Sequence, residues 1–184
     1  MAEHFRSHRP PATARARYDS PMLEHLRTLF VRDIDALRVE VGLYPDDGLL
    51  WREVPGCPNS GGNLALHLVG NLRHFIGAQL GGTGYVRDRD AEFAARGISR
   101  AQLQAGIEQA SAEVARTLLA LDPARLKEPF FLPPNVKPIE TGLWLLQTSC
   151  HLAYHLGQID YHRRTVTGDR TPSGALSAKP LFGT

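Results

Sequence analysis

The sequence predicts an all-α protein: a four-helix bundle with a long crossover between helices 2 and 3 and a proline-rich segment before helix 4. Three observations carry that prediction. Apolar residues recur three and four positions apart along four separate stretches. Helix-start and helix-stop residues bracket those stretches. Two histidines, His151 and His155, lie four apart inside the last stretch, so on a helix both imidazoles leave one face about one turn apart.

Size and composition suit that fold. At 184 residues, with 42% hydrophobic and 22% charged residues, the chain is long enough to bury a sizeable core in one domain. A net charge of +2 is too small to point to nucleic acid. No apolar run has membrane-spanning length, so no membrane partner is expected. Residues 1–18 carry Arg6, Arg9, Arg15 and Arg17 without an apolar core, and read as a flexible N-terminal arm rather than a secretory signal. Residues 19–168 read as the metal-binding bundle. Residues 169–184, with Pro172, Gly174 and Pro180, read as an irregular tail. Two cysteines, Cys57 and Cys150, make no disulfide framework, and cytoplasmic location is the default reading.

The first helix is expected from about Pro21 to about Val41. Asp19-Ser20-Pro21 supplies the start, and Met22, Leu26, Leu29, Phe30, Ile34, Leu37 and Val41 mark one amphipathic face. Leu49–Ser60 reads as a loop. The second helix, about Gly61 to Leu80, follows the capping residues Asn59-Ser60 and is apolar on most sides. At 100° per residue Asn63, His67, Asn71 and His74 share a narrow arc of it. A polar stripe on a buried helix needs partners or a bound ion. Residues 81–97 form the long connection, with a charged patch Arg87-Asp88-Arg89-Asp90 and a short turn through Phe93. The third helix starts at Ser99, with Gln102 completing a capping box, and runs to about Leu121. Glu128–Ile139 is rich in proline and holds Phe130, Phe131 and Leu132; a short extended piece near the mouth of the site is expected there. The fourth helix runs from about Ile139 to about Val166, stopped by Gly168, with Trp144, His151, His155, Gln158 and His162 on one arc.

The histidine pair is spaced to share one metal ion. A third ligand would come from the second helix, where His67 and His74 are the candidates. With eight histidines in 184 residues one such pair arises readily by chance, and a bundle histidine is more often a hydrogen-bonded core residue than a ligand. The second polar stripe favours metal, because two helices then carry inward-facing histidines.

The pattern Asn63-Leu64-Ala65-Leu66-His67-Leu68-Val69-Gly70-Asn71-Leu72-Arg73-His74, followed downstream by His151-xxx-His155-Leu156-Gly157-Gln158, resembles the DinB/YfiT-like superfamily. The run from Arg87 to Arg96 is also similar to that family's inter-helix connection. These are four-helix bundles regarded as metalloenzymes, and the resemblance covers roughly residues 20–168. It implies a metal held by His67, His151 and His155 and often a homodimer. His74 lies too far along the helix from His67 to bind the same ion, and His162 lies two turns beyond His155.

Three imidazoles without a carboxylate leave one or more positions open, the pattern of a catalytic site. Zinc or nickel suits such ligands, and iron is compatible. Acceptors for the ligands' other ring nitrogens are expected among Asn63, Asn71, Gln158 and Glu140. His74 and Trp144 are further pocket candidates. Cys150 reads as a core thiol, Tyr154 as packing or pocket wall, and Arg73, Arg163 and Arg164 as solvated helix ends, with binding of an anionic substrate as their alternative.

What the resemblance implies is a metal-dependent enzyme acting on a small molecule. A low-molecular-weight thiol or a water would be activated, as in the family's S-transferases or hydrolase-like members. The alternative is a non-catalytic helical metal-binding or stress-response interaction protein.

Overall fold

A computed structural model of the protein describes residues 21–130 and 136–182. The N-terminal arm, the Asp19-Ser20 start signal and the Phe131-Leu132-Pro133-Pro134 part of the proline-rich segment lie outside the described residues. Helix α1 spans Pro21–Gly42, and the single turn α2 spans Asp47–Leu50. Helix α3 spans Gly61–Leu72 and continues as a π-helical turn over Arg73–Ala78. The short α4 spans Arg89–Ala94, and α5 spans Arg100–Ala120. A 3₁₀ turn at Pro123–Lys127 leads to strand β1, Pro129–Phe130. Strand β2, Ile139–Glu140, precedes α6, Thr141–Thr167, and a last 3₁₀ turn covers Lys179–Leu181.

Local chemistry explains most of the boundaries. Ser60 caps α3 by accepting from the Asn63 amide. Ser99 and Gln102 form the reciprocal capping box of α5. Gly168 ends α6 in the left-handed region at φ 73°, its N–H bonded to the Arg164 carbonyl. The expected extended piece is the antiparallel pair Pro129↔Glu140 and Phe130↔Ile139, which claims the two residues with which the fourth helix was expected to begin. Just ahead of the expected loop, Asp46 caps α2 through the Leu49 amide (2.8 Å), and α2 takes the loop's first two residues, Leu49 and Leu50.

The long helices pack side by side. Helix α1 lies against α5 and α6, and α3 lies against the same two. The core between them is built from Leu26, Phe30, Ile34 and Leu37 of α1, Leu68 and Leu72 of α3, Leu103, Ile107 and Val114 of α5, and Leu145, Leu152, Leu156 and Ile159 of α6. Met22 departs from the expected face: it is exposed at the helix end, and Leu23 is buried instead. No described helix is long and apolar enough to cross a membrane.

Several polar groups inside this core are held by ion pairs and hydrogen bonds. Arg73 is not a solvated helix end: it bonds Glu113 at 3.1 Å and lies 4.2 Å over the Tyr85 ring. Arg163 is fully buried and pairs with Glu40 at 2.5 Å. His162 bridges Tyr44 Oη (2.7 Å) and the Arg52 carbonyl (2.9 Å). Its Nε2–H donates to the carbonyl, so Nδ1 accepts from the tyrosine. Burial holds His162 below the ordinary histidine range, with the Arg52 carbonyl opposing. The unfolded chain therefore takes up this proton first as pH falls below about 6.5, and stability declines from there. We expect His162→Gln to flatten the loss of unfolding free energy, read from urea denaturation, between pH 7 and pH 5. The expected change in slope is up to ~1.4 kcal/mol per pH unit. An unchanged slope would show that His162 keeps its proton in the fold.

Candidate metal centre

The three histidines meet where α3 and α6 face each other. His67 is buried on α3, and His151 and His155 are half-buried on successive turns of α6. His67 Nε2 lies 3.2 Å from His151 Nε2. The His151 and His155 rings are 4.5 Å apart between centroids, and His155 is 5.2 Å from His67. One ligating nitrogen from each lies within 4.8 Å of the others. Two nitrogens bound to one tetrahedral zinc, at ~2.0–2.1 Å each, would be roughly 3.3–3.4 Å apart. The closest pair already stands near that separation, and the donor set fits a divalent transition ion.

Two of the three distal nitrogens are oriented as ligands require. His67 Nδ1–H donates to Glu92 Oε2 at 3.0 Å, which turns its Nε2 lone pair toward the cluster. Arg87 grips the same carboxylate through Nε (2.7 Å) and Nη2 (2.8 Å). The 3.1 Å approach of Arg87 Nη2 to His67 Nδ1 joins two donors and follows from their shared acceptor. Burial would raise the Glu92 pKa, but the Arg87 and His67 hydrogen bonds outweigh it and hold the carboxyl below its usual range. His155 Nδ1–H donates to Gln158 Oε1 at 2.6 Å, leaving Nε2 available. His151 Nδ1 is buried without a partner among the described residues. Burial, together with the nearby His155, His67 and Arg87 charges, pushes the His151 pKa down to about 4. Burial also lowers His155, which Gln158 opposes. His151 therefore holds a bare nitrogen lone pair at neutral pH.

Glycine makes the Glu92 contact possible. Gly70 sits one turn after His67, and a Cβ there would overlap the Glu92 carboxylate. The carboxylate thus rests against the bare backbone of α3 while α4, capped by Asp88 through the Ala91 amide, packs alongside.

Beside the histidines lies a cleft of about 460 Å³. Asn71, Arg87, Arg89, Phe93, Trp144 and Thr148 contribute to its wall. Trp144 stacks on Phe130 (5.4 Å, 20°) and meets Phe75 edge-on, so the extended piece does support the wall of the site. A second cavity, about 360 Å³, lies past Asn59 and Gln158 and is lined mainly by Val54, Pro58, Leu64 and Tyr161.

Several expected site residues serve elsewhere. Asn63 supports no histidine; its amide donates to the carbonyls of Glu92, Phe93 and Ala95 and anchors α4. His74 falls in the π turn that follows α3, near the Arg87 and Glu92 charges but outside the three-histidine cluster. It pairs with Gln79 at 3.0 Å. Glu140 is exposed in β2, away from the ligands. Cys150 is exposed and not a core thiol, and Tyr154 is 65% exposed. Both belong to the outer side of α6, because the opposite side carries the buried leucines. Sequence reasoning missed Glu92, Arg87 and Gly70. A glycine one turn after a candidate ligand, and a glutamate in a capped helical turn within the connection, were the available signals.

We expect Glu92→Gln to weaken metal binding about 10- to 100-fold, since an amide is a poorer acceptor for the His67 Nδ1–H and no longer neutralises Arg87. Competition with a chromogenic chelator measures it. Unchanged affinity would remove Glu92 from the centre.

The sequence profile of the DinB superfamily matches residues 23–159, well over half of the chain. No curated protein and no solved structure matches the sequence. The chain belongs to the DinB superfamily.

Proposed function

We propose, with DinB-superfamily membership as the premise, that this protein is a metal-dependent enzyme acting on a small molecule. The observation that carries the reading is the convergence of His67, His151 and His155 at the wall of a cleft, with two of the three rings fixed by Glu92 and Gln158. In this reading α1, α3, α5 and α6 form a four-helix bundle, and the connection between α3 and α5 is a crossover that delivers Arg87 and Glu92.

Zinc, nickel or iron held by the three imidazoles would supply Lewis acidity, making a thiol or a water nucleophilic at neutral pH. The protein's own groups do the rest. Glu92 holds the Nδ1 proton of His67, and Gln158 holds that of His155. His151 stays unprotonated. Three protein ligands leave room for an exchangeable one from the cleft. Trp144, backed by Phe75 and Phe130, gives the cleft an apolar wall that limits water.

The test is metal content by elemental analysis on untagged protein, purified without nickel resin. Turnover of cysteine or glutathione with an aryl chloride, and of a nitrophenyl ester, follows. About one equivalent of metal and metal-dependent turnover are expected. No metal, even after adding zinc or nickel, would sink the reading. Bound metal without turnover of any thiol or ester would favour the non-catalytic alternative.

A further inference from the structure

The cleft beside the histidines is unevenly charged. Its wall among the described residues contains two arginines and no aspartate or glutamate. Arg87 is neutralised by Glu92. Arg89 is exposed, has no ion pair among the described residues, and holds its guanidinium 5.0 Å from the Phe93 ring centroid. Phe93 lies 4.9 Å from the His67 ring, so a single aromatic side chain separates the guanidinium from the histidine centre. The other arginines that could have met an anion, Arg73 and Arg163, are committed to Glu113 and Glu40.

Two more cleft residues lack partners. The Trp144 indole N–H can only donate, is buried, and has no acceptor among the described residues. The side chain of Asn71, 9% exposed, makes no hydrogen bond among the described residues. An unmet buried donor is costly, so the Trp144 N–H points to a polar atom supplied by an occupant, and the Asn71 amide is free to meet another.

We propose that the cleft takes a compact carboxylic acid. Arg89 holds the carboxylate at the rim, Asn71 and Trp144 meet further polar atoms, and the reacting end reaches His67, His151 and His155. One guanidinium matches the single charge and the two-oxygen edge of a carboxylate. A phosphate dianion would find only one uncompensated cation. The proposal rests on the metal-centre reading for the reacting end alone; the carboxylate contact needs no ion.

Isothermal titration calorimetry tests it on the full chain, metal-loaded and metal-free. The probes are 3-mercaptopropionate and its uncharged amide. The loaded parent is expected to bind the acid about tenfold tighter than the amide. Arg89→Ala should bring the ratio close to one while leaving amide affinity unchanged. Arg89→Lys should fall between, because it keeps the charge and loses the fork. Melting temperature should be unaffected by either change, since the side chain is exposed. Equal binding of acid and amide by the parent overturns the proposal, as does an acid preference that survives in Arg89→Ala. No heat from the acid at millimolar concentration overturns it too, and so does inorganic phosphate competing better than propionate. A protein that takes up no metal yet keeps an Arg89-dependent acid preference would refute the metal reading and support this one.

Discussion

Replacing His67 with alanine is expected to abolish stoichiometric metal binding, from about one equivalent to under a tenth, a loss of more than ~100-fold in affinity. The pair His151→Ala/His155→Ala should do the same. His67 alone comes from α3, and without it two nitrogens on one helix remain. The variants should still fold: Glu92 keeps its two bonds to Arg87, and no buried charge is left unpaired. Thermal shift provides a second readout. A ligand at a hundred times its Kd stabilises by about 2.7 kcal/mol. For a chain of this size that is a rise of roughly 5–10 °C in Tm, expected in the parent and absent in both variants. Metal retained by His67→Ala would place the ion elsewhere.

Arg163→Ala is expected to be the most destabilising single change, at about 3–5 kcal/mol in urea denaturation. Arg163 and Glu40 are each 0% exposed. The guanidinium also bonds Asp160 (3.2 Å), Asp169 (3.3 Å) and the Thr171 carbonyl (2.6 Å), joining α1, α6 and the chain after α6. Removing it strands Glu40, whose Oε1 already lacks a partner among the described residues. Burial pushes the Glu40 carboxyl up, and Arg163 foremost, with Ser173, opposes this. The double variant Glu40→Met/Arg163→Met should recover most of the loss, because apolar side chains of similar volume need no compensation. A cost below ~1 kcal/mol for Arg163→Ala would show that water reaches the pair.

The chain by itself determined what depends on near neighbours. Spacings of three and four placed the long helices. Ser60, the Ser99–Gln102 box and Gly168 marked their ends. The four-residue interval of His151 and His155 put both rings on one face, and their support by Gln158 is a bond of the same helix, three residues away. These are consequences of one repeat, 3.6 residues per turn.

Tertiary structure decided the rest. Glu92 reaches His67 across 25 residues, over a glycine whose value appears only once α4 is packed on α3. The π turn at Arg73 packs against α5 and is not signalled by helical periodicity, and His74 within it stands outside the three-histidine cluster. Arg163 looks like any arginine at the end of a helix until Glu40, 123 residues earlier, is brought against it. Cys150 is one residue from a candidate ligand and lies on the solvent side of the same helix. Helical periodicity assigns a residue to a face of its own helix. Which charge meets that face, and whether water does, depends on how distant segments pack against it.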